Sequence, residues 1–181
     1  MLGGLLDIEA SAIEFDEDGN GKPRLAGTGP PPLFFNLSHS HDLTAVAVSA
    51  SFEVGLDIEM LRPADLSGVT SFFSTREQAV LLGLPHAIRT ACTFAAWTRK
   101  EAFVKATGLG LAMPLDSFEV SLDPNEPARL LRVASASEEA ASWQLAHLVP
   151  ARGYVGTVAA RSRGWQVVLN ELALDLQPLG G

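Results

Sequence analysis

The stretch from Phe94 to Gly110, FAAWTRKEAFVKATGLG, limits what this chain can fold into more than any other. Wound as a helix at about 100° per residue, it sets Phe94, Trp97, Glu101, Val104 and Lys105 on one stripe, so two charges stand among side chains that should face the core. Glu101 and Lys105 are four apart in the favourable order, which suits an exposed pair contributing about 0.3 kcal/mol. The competing reading is functional, because charged residues are seldom buried unless they are paired or put to use. The helix spans roughly His86 to Thr107, with Gly108 as its C-cap. A shorter helix precedes it, opened by a capping box of Ser74 and Glu77, running to about Leu82 and stopped by Gly83 and Pro85.

Strand patterns surround these helices. FEVSL, ARLLRV, WQLAHLV, YVGTVAA and WQVVL alternate or run apolar at strand length, with DPNEP and RSRG as turns, so the C-terminal third reads as antiparallel sheet packed against the two helices. Upstream, Leu33 to Leu37 read as a buried strand ending in a polar turn at Ser38, His39, Ser40 and His41. Leu43 to Ser49 and Val54 to Glu59 follow as a β-hairpin. LGGLLDI reads as the tail of a helix, SAIEF as a strand and AGTGPPP as a flexible segment. In the turn cluster DEDGNGK, Asp16, Asp18, Asn20 and Gly21 match the first half of a calcium loop, but Pro23 and Gly27 stand where its central strand and closing acid belong, so a tight acidic turn is expected. The fold class is α+β.

The balance of 13 basic against 21 acidic residues, a net charge of −8, excludes a general attraction to nucleic acid or an anionic membrane. The chain shows neither a membrane-length apolar run nor a signal-type start, and a cytoplasmic location is expected. The single cysteine, Cys92, falls in the helical pattern as a small core residue. His147, Trp143 and Trp165 read as structural, and Arg161 and Arg163 as solvated.

Three carboxylates stand out. In VGLDIE, Val54, Leu56 and Ile58 face one way and Gly55, Asp57 and Glu59 the other, which puts two carboxylates about 6 to 7 Å apart on one strand face. They are either a solvated face or two ligands of a hard cation, with Glu101 as the third and Lys105 one turn beyond it. Oxygen donors with few histidines favour magnesium bridged to substrate phosphates, which suggests pyrophosphate chemistry. Ser38, His39 and Lys22 are candidates to hold further anionic groups, although Ser38 and His39 also suit an ordinary turn.

FNLSHS, then GLDIE, then WTRKEAFVKATGLGL, in this order and at these separations, closely resemble the 4′-phosphopantetheinyl transferases of the Sfp type. The similarity runs from about Gly21 to Val120, with GKPRL before the first motif and PLDSFEVSL after the last. The resemblance implies an α+β fold of two pseudo-repeated halves with the site between them, here 1–53 as a shortened first half and 54–181 as the second. It implies a holo-[acyl-carrier-protein] synthase type activity: transfer of the 4′-phosphopantetheine arm of coenzyme A to a serine of an apo acyl or peptidyl carrier protein, releasing adenosine 3′,5′-bisphosphate. The carriers would serve polyketide, nonribosomal peptide or fatty acid synthesis.

Carried over by position, Asp57, Glu59 and Glu101 would bind Mg2+. Glu101 would also be the catalytic base, and Lys105 would stabilise the phosphates and the leaving group. Lys22, Ser38, His39, Lys100 and Lys105 would contact coenzyme A, with Trp97 and Lys100 also supporting the site. Members of this type carry a longer N-terminal segment with a basic helix. MLGGLLDIEASAIEF resembles the end of that segment, which predicts exposed apolar sheet, self-association and, as the alternative function, an inactive carrier-binding or partner-binding remnant. His41, where many relatives have glycine, is tolerable in a turn if its backbone angle is ordinary.

Overall fold

A computed structural model describes residues 2–26, 33–63, 66–134 and 140–171. Most of the segment expected to be flexible, 27–32, lies outside the described residues. The fold is α+β, with every strand pairing antiparallel. A short helix α1 (Leu2–Leu6) leads into the hairpin of β1 (Phe15–Glu17) and β2 (Pro23–Leu25). The Asp18 carboxylate closes its turn by accepting from the backbone N–H groups of Asn20 and Lys22, both at 2.9 Å, so the expected tight turn is formed. The SAIEF stretch is a 3-10 turn at Ala10–Ala12 with only its last residue entering β1.

The expected hairpin is paired differently. β3 (Phe34–Ser40) and β4 (Leu43–Ser49) pair along their whole length around a two-residue loop, His41 and Asp42. β5 (Val54–Met60) pairs instead with β9 (Tyr154–Ala160), which pairs in turn with β8 (Gln144–Leu148). β3 therefore continues through Ser40, and Ser38 and His39 are strand residues rather than a turn. The polar alternation of Asn36, Ser38 and Ser40 hides the strand, because these side chains face β5 and replace a backbone ladder there.

The helices α2 (Ser67–Thr70), α3 (Thr75–Gly83) and α4 (His86–Thr107) follow β5. Ser74 caps α3 with both halves of the capping box formed. Gly108 closes α4 in the left-handed conformation at φ 70°. α4 lies on the face of β5 that carries Gly55, Asp57 and Glu59, and a Cβ at Gly55 would stand 2.0 Å from the Ala102 carbonyl oxygen. Only glycine permits that approach.

The main core lies between α4, the hairpin of β6 (Phe118–Val120) and β7 (Leu130–Val133), and β8, with the Phe103 ring 4.7 Å from both Phe118 and Trp143. Leu56, Ile58, Leu148 and Val158 form a second cluster on the opposite face of the sheet, covered by Leu43, Ala45, Ala47, Trp165 and Val167. WQVVL thus covers this cluster through its side chains, but its backbone joins no ladder. Cys92 is buried in the core as expected.

The backbone angle of His41 is not the ordinary one that a side chain there calls for, with φ at 51°. A side chain in the left-handed region costs about 1 kcal/mol, and glycine avoids the clash that causes it. The substitution His41→Gly is expected to raise the free energy of unfolding by about 1 kcal/mol. Urea unfolding would register this as a higher midpoint at unchanged slope.

Candidate active site

The site is built on the edge of β5 that faces β3. Along this edge side chains take the place of a neighbouring strand. The backbone N–H groups of Leu56, Ile58 and Met60 donate to Asn36 Oδ1 at 2.8 Å, Ser38 Oγ at 3.1 Å and Ser40 Oγ at 3.1 Å. The carbonyls of Val54 and Leu56 accept from Lys22 Nζ and Lys105 Nζ, each at 3.1 Å. Every capping group but Asn36 had been picked out in the sequence as a possible ligand-binding residue or as part of the polar SHSH group. The period-two spacing of Asn36, Ser38 and Ser40 was the signal for the edge-capping role.

The same groups reach the carboxylates. Lys105 Nζ sits 2.7 Å from Asp57 Oδ1, and Ser38 Oγ donates to that oxygen at 3.2 Å. Ser40 Oγ donates to Glu59 Oε2 at 2.8 Å. Asp57 is buried, and its other oxygen, Oδ2, has no hydrogen-bond partner. Burial pushes the Asp57 carboxyl up to about 7, against the charge and hydrogen bond of Lys105 and with further upward pressure from Glu101 and Glu59. Glu101, half-buried on α4, is also raised, first by burial, against Lys105 and with Glu59 adding to the rise.

Asp57, Glu59, Glu101 and Lys105 therefore form one electrostatically coupled group. Among the described residues no three His, Cys, Asp or Glu side chains stand in a ready-made metal-binding group. The donor set still suits a hard divalent cation, because mutual repulsion and an orphaned buried oxygen are what such an ion relieves. Behind Asp57, Thr98 of α4 and Thr157 of β9 join hydroxyls at 3.1 Å and fix the helix on the sheet.

The other expected site residues are placed apart from this group. Lys22 lies at the start of β5, roughly 10 Å along the strand from Asp57, and its ammonium pairs with Glu53 at 2.7 Å. His39 points from the opposite face of β3 to Ser38 and is exposed, across from Thr44. Trp97 stacks on Phe73 at 6.5 Å.

Lys100, expected among the coenzyme A contacts, has no exposed surface and serves the core. Its ammonium meets Glu77 at 2.8 Å and the carbonyls of Leu115 and Phe118, each at 2.7 Å, so three donors have three acceptors. It also lies over the Phe118 ring at 4.4 Å. Glu77 was legible only as a capping residue. Its second carboxylate oxygen accepts from the Val120 N–H at 2.9 Å, so one side chain ties α3, α4 and β6 together.

The α+β scaffold with a coupled acidic cluster and a lysine at a strand edge has known relatives. Residues 53–159 match the model of the 4′-phosphopantetheinyl transferase superfamily, and the chain belongs to that superfamily. It is similar to the 4′-phosphopantetheinyl transferase HetI of Nostoc sp., 41% identical over 172 residues, covering 92% of this chain and 68% of the relative. Similarity to the 4′-phosphopantetheinyl transferase psf-1 of Bacillus pumilus is 42% over 118 residues, covering 65% of this chain and 49% of that protein. The 4′-phosphopantetheinyl transferase Sfp of Bacillus subtilis is 36% identical over 115 residues, covering 64% of this chain and 50% of Sfp. The chain thus spans from about half to about two thirds of the length of these relatives. No helix among the described residues is long and apolar enough to cross a membrane.

Two outcomes follow from these contacts. Lys100→Ala leaves Glu77 buried without its counter-charge and is expected to lower stability by about 3–5 kcal/mol, measured by denaturant unfolding. Lys100→Met combined with Glu77→Gln should lose less, whereas a coenzyme A contact would raise KM and spare stability. In protein prepared in EDTA, the folded Asp57 carboxyl keeps its proton to about 7, far above the unfolded value of about 3.9. Its contribution to stability is therefore complete below about 3.9 and is lost progressively as pH rises from there through about 7. Thermal unfolding scanned across this range should show the loss in the parent protein and a flatter profile in Asp57→Asn.

Proposed function

We propose that this chain transfers the 4′-phosphopantetheine arm of coenzyme A to a serine hydroxyl of an apo acyl or peptidyl carrier protein, with Mg2+ as its metal. The observation that carries the proposal is the coupled group of Asp57, Glu59, Glu101 and Lys105, within the segment that matches the superfamily. Asp57, Glu59 and Glu101 would hold the Mg2+, and Asp57 Oδ2 is a buried oxygen left without a hydrogen-bond partner. When bound, this ion neutralises charge on the coenzyme A pyrophosphate.

The chain's own residues supply the rest. Glu101 takes the proton from the carrier serine, directly or through water. Burial raises its proton affinity above that of an ordinary carboxylate, the direction that favours taking a proton, and among the described residues its carboxylate accepts no hydrogen bond. The serine oxygen forms a bond to the phosphorus nearer the pantetheine arm. The bond from that phosphorus to the bridging oxygen breaks, and adenosine 3′,5′-bisphosphate leaves with the electron pair. Lys105, half-exposed beside Asp57, offsets charge that builds on the departing phosphate. Lys22 and His39 contact further anionic groups of coenzyme A, Lys22 by exchanging Glu53 for phosphate. Ser38 contributes by holding Asp57 and the β5 edge.

The test is intact-mass measurement of an apo carrier protein incubated with this chain, coenzyme A and Mg2+. A gain of one phosphopantetheine, abolished by EDTA and slowed at least about 100-fold in Glu101→Gln, is expected. Full transfer by Glu101→Gln, or no gain with a folded preparation, overturns the proposal.

A further inference from the structure

We propose that Ser40 is a positioning residue that holds the Glu59 carboxylate in place for a divalent cation. The inference rests on the cation-binding reading of Asp57, Glu59 and Glu101. Ser40 is 8% exposed, and its hydroxyl is committed at both ends: the lone pair accepts the Met60 N–H at 3.1 Å, and the proton goes to Glu59 Oε2 at 2.8 Å. A hydroxyl rotor is ordinarily free to turn. Here the backbone donor leaves its proton directed at the carboxylate, and a half-buried glutamate with several rotatable bonds is tied to the sheet. A fixed carboxylate presents its remaining lone pairs to a cation in one arrangement, with less ordering left to do on binding.

The strand repeats the device. One pleat earlier Ser38 accepts the Ile58 N–H and donates to Asp57, the carboxylate preceding that amide, just as Ser40 accepts from Met60 and donates to Glu59. One pleat earlier again Asn36 accepts the Leu56 N–H, but the preceding residue is Gly55, so Asn36 has no carboxylate to orient. Asn36 and Ser40 therefore share the edge-capping role, and only Ser40 adds contact with a proposed cation ligand. That difference separates positioning from support of the fold.

The experiment titrates Mn2+ into the 181-residue parent chain, Ser40→Ala, Ser40→Thr and Asn36→Ala, reading free Mn2+ by electron paramagnetic resonance and foldedness by circular dichroism. Ser40→Ala should bind Mn2+ about 10–100-fold more weakly, Ser40→Thr should restore binding, and Asn36→Ala should bind as the parent does. Parental affinity in Ser40→Ala, or equal weakening in Ser40→Ala and Asn36→Ala, overturns the positioning role. Absence of Mn2+ binding in the parent instead overturns the reading of the acidic cluster, and this inference with it. If Ser40→Ala does not fold, Ser40→Cys is read in its place. The thiol is a weaker donor and acceptor, so intermediate affinity supports the role and parental affinity overturns it.

Discussion

The backbone amides of Leu56, Ile58 and Met60 have no strand to donate to, and the fold is arranged to answer that need. An unpaired polar group inside a protein costs about 1–3 kcal/mol, so a long buried strand cannot keep an open edge. Here the edge is closed by side chains from three distant parts of the chain: Lys22, the Asn36 to Ser40 strand and Lys105. Ser38, Ser40 and Lys105 also bind the carboxylates that project beside that edge. Stability of the sheet and construction of the site are therefore the same set of bonds. An acidic group that would otherwise repel itself is assembled because its neighbours are required by the backbone.

Helix α4 divides its work by direction. Arg99 and Lys100 turn inward to backbone carbonyls of the 115–126 region and to Glu77, while Glu101 and Lys105 turn towards β5. Adjacent residues on a helix are about 100° apart, so a run of consecutive charges is spread over different surroundings. The full satisfaction of Lys100 and the incomplete satisfaction of Asp57 follow from that division. A group whose bonds are all made serves the framework, and an oxygen left without a partner is where binding energy remains to be gained.

What could be read from the sequence was mostly local. The limits of α4, its left-handed glycine cap and the capping box of α3 depend on neighbours within a turn, and the structure has them as the sequence suggested. Strand partnership is not local, and β5 was expected beside β4 when it pairs with β9, about a hundred residues later. The polar strand through Ser38 and Ser40 resembled a turn because its hydrogen-bonding face is directed at another strand's edge. WQVVL has strand-like alternation but only its side chains are needed, over the second cluster. Asp57, Glu59, Glu101 and Lys105 could be picked out from spacing, and the fold brings them within electrostatic reach of one another. Lys100 could not be assigned, because its counter-ion Glu77 sits on a different helix.

The missing side chain at Gly55 has a mechanical consequence. With the Ala102 carbonyl and the Ala106 amide resting directly on the strand, no flexible side chain lies between helix and sheet to serve as a bearing. Sliding or rolling α4 would drive backbone into backbone, so α4 and β5 move as one solid piece. The hairpin of β3 and β4 is joined to that piece by side-chain hydrogen bonds in place of a ladder and by Leu43, Ala45 and Ala47 packed over the second cluster, so it too is anchored.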